Sequence, residues 1–415
     1  MSVSVILSLY WFVALVGLGT FFPLFSLYLT ENLGLTGAQT GLVTGALPLA
    51  GMLAQPLWGT LADRSGSRVR VLTLVSAATA VGYWNLSLGR DFPTVLLSTL
   101  TLALFSTSVM PMSVSVSLAI LHPKGRRAFG GVRSIGTLGY LVAVAGFPFL
   151  LARFGGLAAV VETAGTTASE PRLGLMLVVA ALAMGAASLV SLRLPRGGDV
   201  GTRAVAGDWR GLLRNGPYRR LLVVTLLTYF FLQGPLVMFP MYVRSLGGGL
   251  ETVSHLWIWM LVFEIPLLAG VASLPRRIGA REMIGIGVAA DATRWLVCAL
   301  SPWLAAIYLA QVLHGLAVAG FVVGSALYVE AVVPGRLRST AQSFLYVVGV
   351  GLGGILSSAM AGVLLDSFGA RAPALVGGVG ATLLVIALPR ILPRVPHHAH
   401  DDLVAMEAVE ETPLV

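Results

Sequence analysis

Gly59-Thr-Leu-Ala-Asp63-Arg64-Ser-Gly66-Ser-Arg68-Val-Arg70 is the stretch whose reading decides the fold. It gathers an acid and arginines 64, 68 and 70 between two runs, 33–62 and 71–89, that carry no charge at all. About 20 predominantly apolar residues suffice to cross a bilayer as a helix. Each flank is therefore a spanning helix, and the charged stretch is a very short turn between them.

The same pattern repeats along the chain. Of the 415 residues, 56% are hydrophobic and 11% charged, against about 25% charged in soluble domains. Apolar runs predict twelve spanning helices near 5–29, 40–62, 71–89, 93–121, 133–152, 173–193, 221–243, 253–274, 282–300, 304–332, 340–365 and 373–389. The fold class is an all-α membrane protein. Residues 1–194 form an N-terminal six-helix bundle, 195–220 an Arg/Gly-rich cytoplasmic linker, 221–392 a C-terminal bundle, and 393–415 a flexible cytoplasmic tail.

The net charge of +9 invites a nucleic-acid reading, and its distribution excludes one. Twenty of the 27 Lys and Arg fall in alternate loops and five in the opposite loops, while Arg133 and Arg294 lie within spans. Such alternation is the positive-inside signal of a multi-pass protein of the cytoplasmic membrane with both termini in the cytoplasm. The first apolar run is too long for the h-region of a signal peptide, and no Lys or Arg precedes Arg64. A single cysteine, Cys298, rules out an intrachain disulfide. The expected partners are a small-molecule substrate, protons and membrane lipids around a monomer, with no cofactor beyond a proton gradient.

The two halves echo each other. Phe22-Pro23 recurs as Phe239-Pro240, Pro48 as Pro266, and Leu61–Arg68 as Leu274–Arg281. In the second copy Arg276 stands where the first has Asp63. Gly349-Val-Gly351-Leu-Gly353-Gly354 looks like a dinucleotide loop, but it sits in an apolar helix without a preceding strand. Gly349 and Gly353 instead suit close helix packing. Prolines 48, 56, 111, 148, 235 and 266 lie inside spans, where they free carbonyls and permit kinks. The tail His397-His398-Ala-His400 is read as solvated and not as a metal site.

Ionisable side chains are costly in hydrocarbon and mark function there. They concentrate in helices 8, 9 and 10 as Glu264, Asp291, Arg294 and His314. Asp291 and Arg294 are spaced i, i+3 on one face, so Arg294 either pairs within its helix or reaches Glu264 across a cavity. His314 is a natural proton carrier. These four are the proton-coupling candidates. Glu330 and Asp366, at span ends, read as solvated.

The opening stretch resembles the loop between helices 2 and 3 of the major facilitator superfamily, with Ser67 in place of the usual Arg. More specifically, Phe129-Gly-Gly-Val-Arg133-Ser-Ile-Gly136-Thr-Leu-Gly139-Tyr140 resembles the start of helix 5 in lactose permease and its relatives, the phenylpropionate-permease-like and nucleoside:proton symporter groups. Leu256–Pro266, Arg294-Trp295, Gln311–Gly315 and Gly362–Gly369 resemble helices 8 to 11 of the phenylpropionate-type group.

That resemblance implies two pseudo-symmetric six-helix bundles and a secondary active transporter working by alternating access. It implies Arg133, Tyr140, Trp257 and Arg294 as substrate-binding residues. It also implies Gly59, Asp63, Arg64, Gly66 and Arg68 as a gating motif, in which Gly59 and Gly66 allow close approach and a tight turn. Two departures argue against a galactoside. Ala317 stands where the lactose carrier has a Glu, and helix 4 has no acid to pair with Arg133. An Arg133 without that acid points to an organic anion, with lipid phosphate as the other reading. Proton-coupled import of a small organic solute is the expected function, and efflux by proton antiport is the rival. No clustered nucleophile and base or metal set suggests an enzyme.

Overall fold

The computed structural model describes residues 2–65, 67–121, 126–154, 170, 172–195, 209–271 and 278–395. Their side chains are described except at 63, 126–128, 209–210, 268–271, 336 and 339. Twelve long helices follow one another. Helices 1 to 6 are Val3–Phe21, Gly37–Arg64, Arg68–Ser87, Phe92–Leu121, Arg126–Phe154 and Leu175–Ser191. Helices 7 to 10 are Gly216–Ser245, Leu250–Val271, Ala280–Leu300 and Leu304–Val332. Helix 11 comprises Arg338–Tyr346 and Gly354–Phe368, joined by a π-helical segment Val347–Gly353, and helix 12 is Ala372–Ile391. Among the described residues nine segments are long and apolar enough to cross a membrane.

Local chemistry explains the ends. Thr36 caps helix 2 through a capping box, its hydroxyl accepting from the Gln39 amide while the Gln39 side chain accepts from the Thr36 amide. Gly34 and Gly247, in the turns after helices 1 and 7, have φ of 65° and 82°. A side chain rarely adopts that conformation. Three residues, 65–67, separate helices 2 and 3, so the short charged turn is where the sequence places it.

Helix 1 departs from expectation. It stops at Phe21, and a short helix Phe25–Leu27 and a π-helical turn Tyr28–Asn32 come next. Pro23 accounts for the break, because it lacks an N–H and its ring clashes with the preceding turn. The π turn closes with the Leu33 amide donating to the Tyr28 carbonyl at 3.2 Å.

Large apolar side chains cover the outside: Leu57 is 69% exposed, Phe149 74%, Leu309 71% and Ile386 60%. In a multi-pass membrane protein these face lipid. With hydrocarbon on both sides of the comparison, burial of Leu drives little, and close backbone packing at small residues takes over.

The chain folds as two compact units. One comprises the described residues within 1–203, 237–258 and 358–370, and the other those within 204–236, 259–357 and 371–415. In the first, helix 1 packs on helices 5 and 6, helix 3 on helices 4 and 6, and helix 2 on helix 4. In the second, helix 9 packs on helices 10 and 12. There Gly349 and Gly353 sit against Tyr229 and Leu226 of helix 7, the close packing expected of them.

Candidate functional site

The second unit carries a chain of ionisable groups across helices 8, 9 and 10. It is assembled by glycines. A Cβ at Gly287 would lie 2.5 Å from the Phe321 nitrogen, and one at Gly320 would lie 2.7 Å from the Gly287 nitrogen. Helices 9 and 10 therefore run backbone to backbone. One at Gly315 would lie 2.6 Å from the Glu264 Cα, which presses helix 8 onto helix 10 beside His314.

This packing lines up four side chains. Asp291 Oδ1 lies 3.6 Å from Arg294 Nη1, the intrahelical pair the spacing suggested. The same Arg294 Nη1 meets His314 Nδ1 at 2.5 Å. His314 Nε2 lies 3.6 Å from Glu264 Oε2. Arg294 and Glu264 are thus linked through His314.

Exposure rises along the series. The Arg294 side chain is 0% exposed, His314 10% and Glu264 21%. Arg294 can only donate, so His314 Nδ1 must accept and the imidazole proton sits on Nε2, toward the Glu264 carboxylate. Arg294 Nε and Nη2 are buried without a hydrogen-bond partner among the described residues. The guanidinium carbon also lies 4.0 Å from the centroid of the Trp295 ring. Sequence reasoning quoted Gln311 but gave it no role; it is fully buried one turn before His314, and its amide donates to Cys298 Sγ and the Ile307 carbonyl.

The first unit holds the other candidates. Arg133 lies over the Trp11 ring, 4.9 Å from its centroid, and donates to Thr137 Oγ1 at 3.3 Å. Expectation left Arg133 seeking a counter-charge; on this side it meets an aromatic face. Tyr140 is half-buried one turn beyond Thr137. Trp257 is 5% exposed and meets the Phe22 ring edge-on at 5.7 Å. Its indole N–H is buried without a hydrogen-bond partner among the described residues.

The gating motif is only partly described. Arg64 is exposed in the last turn of helix 2 and Arg68 opens helix 3. The Asp63 side chain and Gly66 lie outside the described residues, as do Arg276 and the histidine tail. Among the described residues no close approach is seen at Gly59: a Cβ there would meet no described atom within 4 Å. That residue sits on an open helix face.

Close approach occurs instead at the other end of helix 2. A Cβ at Gly37 would lie 2.6 Å from the Gly362 carbonyl, and Gly41 and Gly362 meet backbone in the same way. Asp366, exposed at the helix 11 end as expected, also closes this contact: its two oxygens accept from the Gly37 and Ala38 amides at 2.6 and 2.7 Å. Glu31 and Arg244 form an ion pair at 3.0 Å in the same unit. Asp366 at the end of helix 11 was singled out in the sequence. Its juxtaposition with helix 2 was not.

A family model described as the MFS_1 like family matches residues 4–373. The chain belongs to that family. It is a transporter of the major facilitator superfamily, not an enzyme. It is 29% identical over 364 residues to the maltose permease of Geobacillus stearothermophilus, covering 86% of each chain. It is 23% identical over 353 residues to the uncharacterized transporter YwbF of Bacillus subtilis (strain 168), covering 85% of this chain and 84% of that one. The crystal structure of the nucleoside transporter NupG superposes with a TM-score of 0.82 at 17% identity, over 95% of this chain and all of that one. For this MFS_1-like chain the superfamily's twelve helices in two bundles are the fold.

Proposed function

We propose that this transporter imports a small hydroxyl-bearing organic solute together with a proton across the cytoplasmic membrane. The reading places both termini in the cytoplasm, in line with the positive loops, with the N- and C-terminal six-helix bundles alternating access. The observation that carries it is the contact series Arg294–His314–Glu264.

The coupling rests on donors and acceptors. Glu264, the most exposed of the three, takes up a proton from water. Passed to His314 as an added proton, it makes both ring nitrogens donors. Nδ1 can then no longer accept from Arg294, and the guanidinium turns its donors elsewhere. A bound solute offering oxygens takes them. Proton and substrate thus favour the same rearrangement, which is coupling in the thermodynamic sense. Asp291 balances the Arg294 charge within helix 9, which favours neutral oxygens over a free anion. The names maltose permease and nucleoside transporter, borne by relatives, agree with that class. In the N-terminal bundle Arg133 and Tyr140, and on helix 8 Trp257, supply further contacts, with the Trp257 N–H as a ready donor. Gly59–Arg68 serves as the inner latch. The organic anion is the second reading, favoured by Arg294 Nε and Nη2, buried without a hydrogen-bond partner among the described residues.

Proteoliposomes with an imposed pH gradient test the proposal, with maltose, uridine and benzoate as probes. Accumulation of a hydroxylated probe that collapses with a protonophore is expected. His314→Gln should lose accumulation and keep counterflow. Uptake indifferent to the gradient would overturn the coupling, benzoate alone being carried would favour the anion, and proton-driven extrusion would establish efflux.

A further inference from the structure

Helix 4 contains no acid, yet it supports the guanidinium on helix 5 by another route. Trp11 of helix 1 is fully buried, and its indole N–H donates to Ser117 Oγ of helix 4 at 2.9 Å. The Ser117 hydroxyl in turn donates to the Ser113 carbonyl at 2.6 Å. The neighbouring Tyr10 is held the same way, between Ser113 and Ser76 at 3.1 Å each. Helix 4 therefore anchors the polar ends of two consecutive helix 1 aromatics.

Helix 5 is shaped to receive the result. A Cβ at Gly136 would stand 3.3 Å from Trp11 Cβ and Cε3, and Gly139 abuts the Phe12 backbone. With no side chain at either position, the indole slides against helix 5. Arg133, three residues before Gly136, then lays its guanidinium on the ring face at 4.9 Å. A Trp face attracts a guanidinium through the ring quadrupole, most strongly where water is excluded.

We infer that Trp11 is a positioning residue: held by Ser117, it sets the place and orientation of the Arg133 guanidinium. Being fully buried, Trp11 acts through Arg133 and not on substrate. Any effect on transport rests on the reading of Arg133 as a substrate ligand, but the positioning itself does not.

The test needs no substrate. Phenylglyoxal, an arginine-selective dicarbonyl, is applied to the full chain in proteoliposomes. Its rate of addition at Arg133 is read by peptide mass spectrometry, with ion-paired Arg244 as an internal reference for the fold. Trp11→Leu removes the face and should raise the Arg133 rate at least fivefold with Arg244 unchanged. Trp11→Phe keeps a ring but loses the Ser117 bond, so its rate should fall between those of the unsubstituted protein and Trp11→Leu. Ser117→Ala frees the indole and should give an intermediate rate, and it decides the matter if Trp11→Leu does not fold. An unchanged Arg133 rate in Trp11→Leu, or in Ser117→Ala when that arm stands alone, overturns the inference. So does an equal increase in Trp11→Phe and Trp11→Leu. Transport of maltose or uridine unaltered despite a changed Arg133 rate would count against the substrate role of Arg133 and leave the positioning intact.

Discussion

Asp366 and Gly37 are joined by a 2.6 Å hydrogen bond from the helix 2 amide to a carboxylate at the end of helix 11. With Ala38 donating to the other oxygen, a carboxylate distant in sequence caps helix 2, alongside Thr36 from its own chain segment. An N-cap contributes about 1 kcal/mol, and a negative charge at a helix N-terminus adds about 0.3–1 kcal/mol. Asp366→Asn keeps one acceptor and loses the charge. The contact should open about 5–30-fold more often, the factor that about 1–2 kcal/mol provides. A cysteine at Leu35, buried here and placed in a Cys298→Ser background, should react correspondingly faster with a thiol reagent. Equal rates would refute the role of the cap.

Gly315 makes a sharper demand. A methyl at this position would stand 2.6 Å from the Glu264 Cα, a backbone atom that cannot swing away. Gly315→Ala should push helix 8 off helix 10 and separate Glu264 from His314. We expect a folded protein whose proton-driven accumulation falls at least tenfold while substrate counterflow survives. Gly146→Ala, where a Cβ would meet no described atom within 4 Å, should leave transport within about twofold and serves as the contrasting control.

Arg294 and Asp291 form a buried pair, and breaking one partner of such a pair costs about 3–5 kcal/mol through the stranded charge. Arg294→Met should therefore lower the melting temperature markedly. Arg294→Met with Asp291→Leu should recover most of that loss, because replacing both partners removes the stranded charge. A double variant as unstable as the sum of the singles would show that the pair is not coupled.

Glu264 is the entry point for protons in the proposed scheme. Glu264→Gln keeps the size and an acceptor oxygen near His314 Nε2 but carries no proton. Uptake by this variant should lose its dependence on the external proton concentration, and counterflow should persist. Retention of the original pH dependence would move the entry point to another residue.

The helices were legible because hydropathy alone sets them. Each of the twelve predicted runs overlaps an observed helix, and ends shift where caps act, as at Thr36, or where Pro23 interrupts. The Asp291–Arg294 pair was legible because an i, i+3 spacing lies within one helix. The remaining contacts join residues far apart in sequence. Nothing about Trp11 in a charge-free helix distinguishes it from a lipid-facing aromatic until helix 4 brings Ser117 to its N–H. Gly59 and Gly37 look alike as small residues in an apolar run, yet among the described residues only Gly37 of the two meets another backbone. Which face of a helix meets a neighbour is set by rotation about its axis, and twelve helices that are apolar nearly all round leave that rotation unmarked.

The π turn at Tyr28–Asn32 bears on this rotation. Because the Leu33 amide reaches back to Tyr28, the turn holds one surplus residue compared with an α-helix, and the Thr30 hydroxyl steadies it on the Ser26 and Leu27 carbonyls. The surplus sets the phase of the side chains at its far end: Glu31 points at Arg244, and Asn32 donates to the Glu170 carbonyl at 2.9 Å. One residue of an α-helix subtends about 100°. Deleting Thr30 would restore the ordinary ladder and swing both side chains away by about that angle, costing the ion pair although every charged residue remains. Function at this corner is therefore written partly in residue count, where a substitution scan would not find it.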